Sequence, residues 1–207
     1  MSKLLPFPAA KARRPSKFGY ERVRKRDRRD RSQLDLFAGG GGKLIEFPAA
    51  AGPGPFEEAL ALEDGGDEGA ARRLYETAVA EGDSVPDAYC NLGVIESKAG
   101  GVEQAFGCFR NALKHDQQHW ESHYNLANLY FDTEEYRPAR VHYELAAEIE
   151  PEFRNIYFNL GLVLAIDEEF ELAIDALSRY RKLAPDSEAG AAEDLLEHLR
   201  RSLEQQG

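Results

Sequence analysis

Sulfur is scarce in this chain. Its 207 residues hold two cysteines, Cys90 and Cys108, and one methionine. Two cysteines are too few for the disulfide framework of a small secreted domain. Long apolar runs are also missing. None approaches the ~18 residues of a membrane span. Residues 1–11 carry a short apolar patch without the apolar core and cleavage site of a secretory signal. These absences predict a cytoplasmic protein with no membrane partner. Enzyme signatures are absent too: there is no Gly-rich phosphate loop, no nucleophile elbow and no CxxC. Gly39–Gly42 lacks the Lys-Ser/Thr that a phosphate loop requires and reads as a linker. The sequence therefore assigns no catalytic residue, no cofactor and no enzymatic activity. His115, His119 and His123 are spaced by four. That spacing suits a metal only on one helix, and no Cys or acidic ligand is fixed beside them. They read as ordinary surface or turn histidines, with no metal.

Charge is plentiful but badly divided. The net charge is -11. Residues 1–45 hold 13 Lys+Arg against 4 Asp+Glu, and residues 46–207 hold 13 against 33. A basic tail thus precedes an acidic body, which speaks to partners more than to fold. The densest stretch, Glu21 to Arg31, has almost nothing apolar to bury and is expected to be disordered in isolation. Gly39–Gly42 and the Pro/Gly/Ala stretch from Ala49 to Pro55 form a flexible joint. Residues 1–55 are accordingly read as a basic, flexible tail and linker, extended or mobile, and dispensable for folding.

Beyond residue 55 the chain repeats. Leu92-Gly93, Leu126-Ala127 and Leu160-Gly161 are spaced by 34, as are Ala105, Ala139 and Ala173, and Asn91, Asn125 and Asn159. Phe109, Tyr143 and Leu177 share the period, and Pro151 and Pro185 mark one turn twice. Each period predicts a helical hairpin, A then B. The small residue at Gly93, Ala127 or Gly161 lets helix B approach, and Ala105, Phe109 and Ala112 with their counterparts form the opposing face. One hairpin cannot bury both faces, so neighbours must stack. Cys90 and Cys108 fall on the two helices of one hairpin and read as buried thiols.

The segments Tyr89-Cys90-Asn91-Leu92-Gly93, Tyr124-Asn125-Leu126-Ala127 and Tyr157-Phe158-Asn159-Leu160-Gly161, each followed by its Ala and aromatic or Leu, resemble the tetratricopeptide repeat (TPR) family. The resemblance implies an all-α, right-handed superhelix of TPR hairpins. Its domain would span 56–205: a degenerate repeat at 56–85, repeats at 86–119, 120–153 and 154–187, and a capping helix at 188–205. Glu96 and Leu164 depart from a usual aromatic, and Gln117 from the turn proline. By resemblance, groove positions fall in the first helix of each repeat. They are Asp87, Cys90, Asn91, Val94, Ser97 and Lys98 in the first unit. The second supplies Glu121, Tyr124, Asn125, Asn128, Phe131 and Asp132. The third supplies Asn155, Phe158, Asn159, Leu162, Ala165 and Ile166. The ladder Asn91, Asn125, Asn159 resembles the asparagines with which family members hold an extended peptide, since an amide both donates and accepts. The plainer reading is that these asparagines hold the repeat interface. The Lys/Arg set that clamps a C-terminal carboxylate is missing apart from Lys98, which argues against a chaperone-tail receptor. The function implied is a non-enzymatic adaptor or scaffold for a protein or peptide ligand.

The tail carries two further readings. Arg22, Arg24, Lys25, Arg26, Arg28, Arg29 and Arg31 could contact nucleic-acid phosphates, with residues 11–31 as a sequence-blind arm. Alternatively they form a charged tail that only solubilises. Phe18 and Tyr20 are the aromatics placed to stack beside them. Gln33-Leu34-Asp35-Leu36-Phe37 resembles the pentapeptide by which bacterial replication and repair proteins dock on the DNA sliding clamp. The plainer reading is a local apolar anchor. Finally, a basic tail and an acidic body on one chain meet at high effective concentration, so residues 22–37 are expected to visit the groove, of this copy or another. A freely solvated tail is the plain alternative.

Overall fold

The computed structural model describes residues 16–24, 52–188 and 190–204. Among them are nine α-helices, one 3-10 turn at Asp186–Glu188 and no strand. The described residues divide into two compact units. One holds 21–24 and 52–122, and the other holds 16–20 and 123–204. The first unit contains α1 (Pro55–Asp64), α2 (Glu68–Glu81), α3 (Val85–Lys98) and α4 (Val102–His115). Helix α5 (Trp120–Asp132) begins at its end. The second unit contains the rest of α5, then α6 (Tyr136–Ile149), α7 (Arg154–Ile166), α8 (Phe170–Leu183) and α9 (Gly190–Glu204).

In the first unit α1 packs on α2, α2 on α3 and α3 on α4; in the second α6 packs on α7, α7 on α8 and α8 on α9. Close approach within a hairpin depends on the small residue of its first helix. A Cβ on Gly93 would sit 2.4 Å from Cε1 of Phe109, and one on Gly161 would sit 2.7 Å from Cγ of Leu177. Facing them, Ala105, Ala139 and Ala173 are fully buried. Glu96, where an aromatic is usual, is buried too and holds Arg72 at 2.7 Å, so an ion pair fills the place of a ring.

The corners between paired helices follow one rule. Gly66, Gly100, Glu134 and Glu168 all have positive φ, at 84°, 82°, 61° and 61°. They are 34 residues apart. After each, a backbone N–H reaches five residues back: Asp67 to Leu62, Gly101 to Glu96, Glu135 to Tyr130 and Glu169 to Leu164, at 2.8–2.9 Å. This left-handed closure satisfies carbonyls that the helix end would leave bare.

Residues 16–24 run without helix, turn or bend. They are held against the helices. The sequence pointed to 22–37; of these Arg22, Val23 and Arg24 are described, and residues 25–37 lie outside the described residues. Within 16–24 the hold falls mainly on main-chain groups and on Phe18, Tyr20 and Val23.

Candidate functional site

In the first unit the site grows from Asn91 on α3. Its Oδ1 accepts the Val23 N–H at 2.8 Å, and its Nδ2 donates to the Val23 carbonyl at 3.0 Å. One side-chain amide thus satisfies both main-chain groups of one residue, leaving the Val23 side chain to be buried, at 1% exposure. The same Nδ2 meets the Tyr75 hydroxyl at 3.0 Å, and that hydroxyl donates to Glu63 at 2.7 Å. Burial, with the Glu63 carboxylate after it, raises the Tyr75 pKa, so the phenol stays a donor. Glu63, whose side chain is 4% exposed, pairs with Arg22 at 3.2 Å, and Asp64 takes the same guanidinium at 2.6 Å. The chain of contacts therefore starts on the main chain of Val23 and returns to the segment at Arg22.

In the second unit Asn159 on α7 does the same for Phe18. Oδ1 accepts its N–H at 2.7 Å and Nδ2 donates to its carbonyl at 3.1 Å. The next carbonyl, of Gly19, accepts from the Tyr124 hydroxyl at 3.0 Å and from Asn128 Nδ2 at 2.9 Å. Asn128 is itself set by Tyr143, whose hydroxyl donates to its Oδ1 at 2.5 Å. Burial holds the Tyr143 pKa well above the usual phenol value. The Phe18 ring meets Phe158 edge-on at 5.1 Å and Tyr180 at 5.7 Å. Asp132 takes two partners: the Tyr20 hydroxyl at 2.7 Å and Lys17 Nζ at 3.3 Å. Lys17 also lies 5.0 Å from the centre of the Tyr20 ring. Burial lowers the Lys17 pKa, against the pull of Asp132.

Other groove candidates have partners or burial of their own. Asp87 engages His119 at 2.9 Å. Lys98 pairs with Glu68 at 3.1 Å. Cys90, Val94, Asn125 and Leu162 are buried, as is Glu121. Phe131 packs edge-on against Tyr136, and Asn155 keeps a buried, unpartnered Oδ1. Cys90 is buried as expected, whereas Cys108 is half-buried, and that burial pushes its thiol up to about 11. Lys25, Arg26, Arg28, Arg29 and Arg31, like Gln33, Leu34, Asp35, Leu36 and Phe37, lie outside the described residues. Arg22 is engaged by carboxylates and Arg24 is exposed.

Two histidines depart from the surface reading. His119 is buried, with Nε2 on Asp87 and Nδ1 2.8 Å from Ser122 Oγ. Asp87, His119 and Ser122 thus follow the order of a hydrolytic triad. Ser122, however, is fully buried, and its own N–H also donates to His119 Nδ1 at 3.2 Å. The arrangement caps the first turn of α5 and offers no substrate a path to the hydroxyl. His123 pairs with His142, Nδ1 to Nδ1, at 2.9 Å. Among the described residues no group of three His, Cys, Asp or Glu side chains could hold a metal.

The sequence reading missed Lys17 and Tyr20 as groove contacts, and with them Glu63, Asp64, Tyr75 and Tyr180. Tyr75 and Tyr180 were assigned to helix packing. Glu63 and Asp64 end a helix with no motif of its own. The visible signal was the pair Phe18 and Tyr20, two apart and hence on one side of an extended strand.

A family model described as tetratricopeptide repeat matches residues 92–151 and, in a second register, 124–188. Residues 92–188 are tetratricopeptide repeats. No curated protein matches the sequence of the chain. Among solved structures, the first TPR of Spaghetti (RPAP3), bound to the HSP90 peptide SRMEEVD, is similar with a TM-score of 0.54. It is 19% identical and covers 57% of this chain and 93% of its own. A MamA RS-1 double mutant has a TM-score of 0.55 at 20% identity, covering 72% of this chain and 93% of that one. A second MamA crystal structure gives 0.55 at 18%, covering 72% and 95%. At these identities the likeness concerns the fold. Among the described residues no helix is long and apolar enough to cross a membrane.

Proposed function

We propose that this TPR protein is a non-catalytic adaptor that binds an extended peptide segment along the first helices of its repeats. The observation that supports this is the pair of side-chain amides, Asn91 and Asn159, each spanning the N–H and C=O of one residue. Such a hold is independent of the residue held, because every peptide unit offers the same donor and acceptor. A TPR neighbour that carries a peptide is in line with the reading. That peptide is acidic, whereas the carboxylates of this groove pair with Lys17 and Arg22. The ligand expected here is therefore a cationic internal stretch and not an acidic C-terminal tail. The sliding-clamp reading rests on residues outside the described ones, and so does the nucleic-acid reading apart from residues 16–24.

The test is a displayed peptide library selected on the full chain carrying Phe18→Ala and Val23→Ala, which loosen the resident segment. Enriched peptides should lose binding on Asn91→Ala with Asn159→Ala. Peptides that bind equally well without both asparagines, or no enrichment at all, would refute the reading.

A further inference from the structure

The segment that fills the groove also describes what the groove selects. Within the second unit, each of four consecutive residues makes its own contact. Lys17 meets the Asp132 carboxylate, with its side chain only 11% exposed. Phe18 enters the aromatic pair Phe158 and Tyr180, whose own rings are 5.1 Å apart. Gly19 contributes only its carbonyl: a Cβ built on it would find nothing within 4 Å, and no left-handed φ demands glycine there. Tyr20 places its hydroxyl on Asp132. Asn159 fixes the register, because it takes both main-chain groups of Phe18 and of no other residue.

We infer that this subsite recognises peptides of the pattern cation–aromatic–any–tyrosine, and that residues 17–20 are a resident copy which a partner peptide of the same pattern displaces. The inference rests on the peptide-binding reading above and gives that reading a ligand class. An amide clamp alone would accept any sequence. Selectivity must come from the groups flanking it: a half-exposed carboxylate that takes two donors, and a ring pair that takes a third ring. An acidic residue at the Lys17 position would face Asp132 with like charge, which adds rejection to preference. Covalent attachment keeps the resident copy at high effective concentration. A ligand in trans therefore competes poorly until the copy is weakened.

The probe is a fluorescein-labelled peptide of residues 16–24, titrated by anisotropy into two full-length chains. One is unchanged and the other carries Phe18→Ala and Tyr20→Ala. Both substitutions lie outside the helices, and circular dichroism should show unchanged helix content. The substituted chain is expected to bind the probe at least about tenfold more tightly than the unchanged chain. In the probe, Phe18→Ala and Lys17→Glu should each weaken binding about tenfold or more, and Gly19→Ala should change it less than about twofold. Asp132→Asn in the chain should remove most of the penalty of Lys17→Glu. Binding that depends on Asn159 but is indifferent to Lys17, Phe18 and Tyr20 of the probe would overturn the pattern and leave the peptide-binding reading standing. No binding to the substituted chain, or binding unchanged by Asn159→Ala, would overturn both.

Discussion

His142 shows how one residue couples this fold to pH. Burial, and after it the neighbouring His123, lowers its pKa from 6.5 to about 4. Its Nδ1 lies 2.9 Å from that of His123, and its ring stacks on Tyr130 at 5.8 Å. A hydrogen bond between two Nδ1 atoms needs one protonated and one bare nitrogen, so neutral rings suit it. The unfolded chain takes up the proton more readily than the folded one. The stabilisation is therefore complete above pH ~6.5 and is lost as pH falls toward 4. After discounting for partial exposure, about 1–2 kcal/mol should disappear between pH 7 and 4. Urea titrations of the unchanged chain and of His142→Phe across that range check this; the variant should show the smaller slope. None of this was legible in the sequence, because His123 and His142 lie on different helices and obey no spacing rule. The asparagines were legible, because their 34-residue period stands out from the chain. Their hold on Phe18 and Val23 was not, because it uses main-chain atoms, which every residue carries alike.

Among the elements, the hairpins are limited by contact distance and by their corners. Gly161→Leu is expected to force α7 from α8, because even a Cβ would lie 2.7 Å from Leu177 Cγ. Overpacking of this kind costs about 1–3 kcal/mol, read as a lower thermal midpoint. Gly93→Ala should behave likewise against the stiffer Phe109 ring. The corners predict the opposite sign. Glu134 and Glu168 occupy the left-handed position that Gly66 and Gly100 fill in the other hairpins. Replacing either by Asn, which tolerates that conformation, should stabilise by about 0.5–1 kcal/mol, measured in the same melts. The helical period was readable because small and apolar residues recur at 34. The corner rule was hidden, because two of its four positions carry glutamate, a residue that gives no turn signal.

At the scale of the whole molecule, the division of charge has a concrete counterpart. Lys17 and Arg22 from the basic end are met by Asp132, Glu63 and Asp64 from the acidic body. Charge arithmetic points to residues 22–37 as the part of the tail that meets the body, whereas the described pairs include Lys17, outside that stretch. Charge is additive along a chain, whereas docking depends on where the amide clamps lie. Trypsin can report the meeting, since it cuts after Lys17, Arg22 and Arg24. Cleavage there should be at least about tenfold slower in the full chain than in a free peptide of residues 14–26, as expected when cutting requires local opening. Raising the salt should narrow that gap only modestly, because salt screens partly buried ion pairs weakly. Asn91→Ala with Asn159→Ala should narrow it far more.

The left-handed corners carry a consequence for how such a chain can be edited. Each closes on carbonyls of its own preceding helix, at Leu62, Glu96, Tyr130 and Leu164. The main-chain closure of each bend is thus made within its own hairpin. A period is a cassette whose corner travels with it, and duplicating or excising one asks only that the outer helix faces be re-matched. The asparagine clamp travels in the same cassette. Growth by copying would lengthen the scaffold and add a peptide-gripping station in one event, with no new corner to invent.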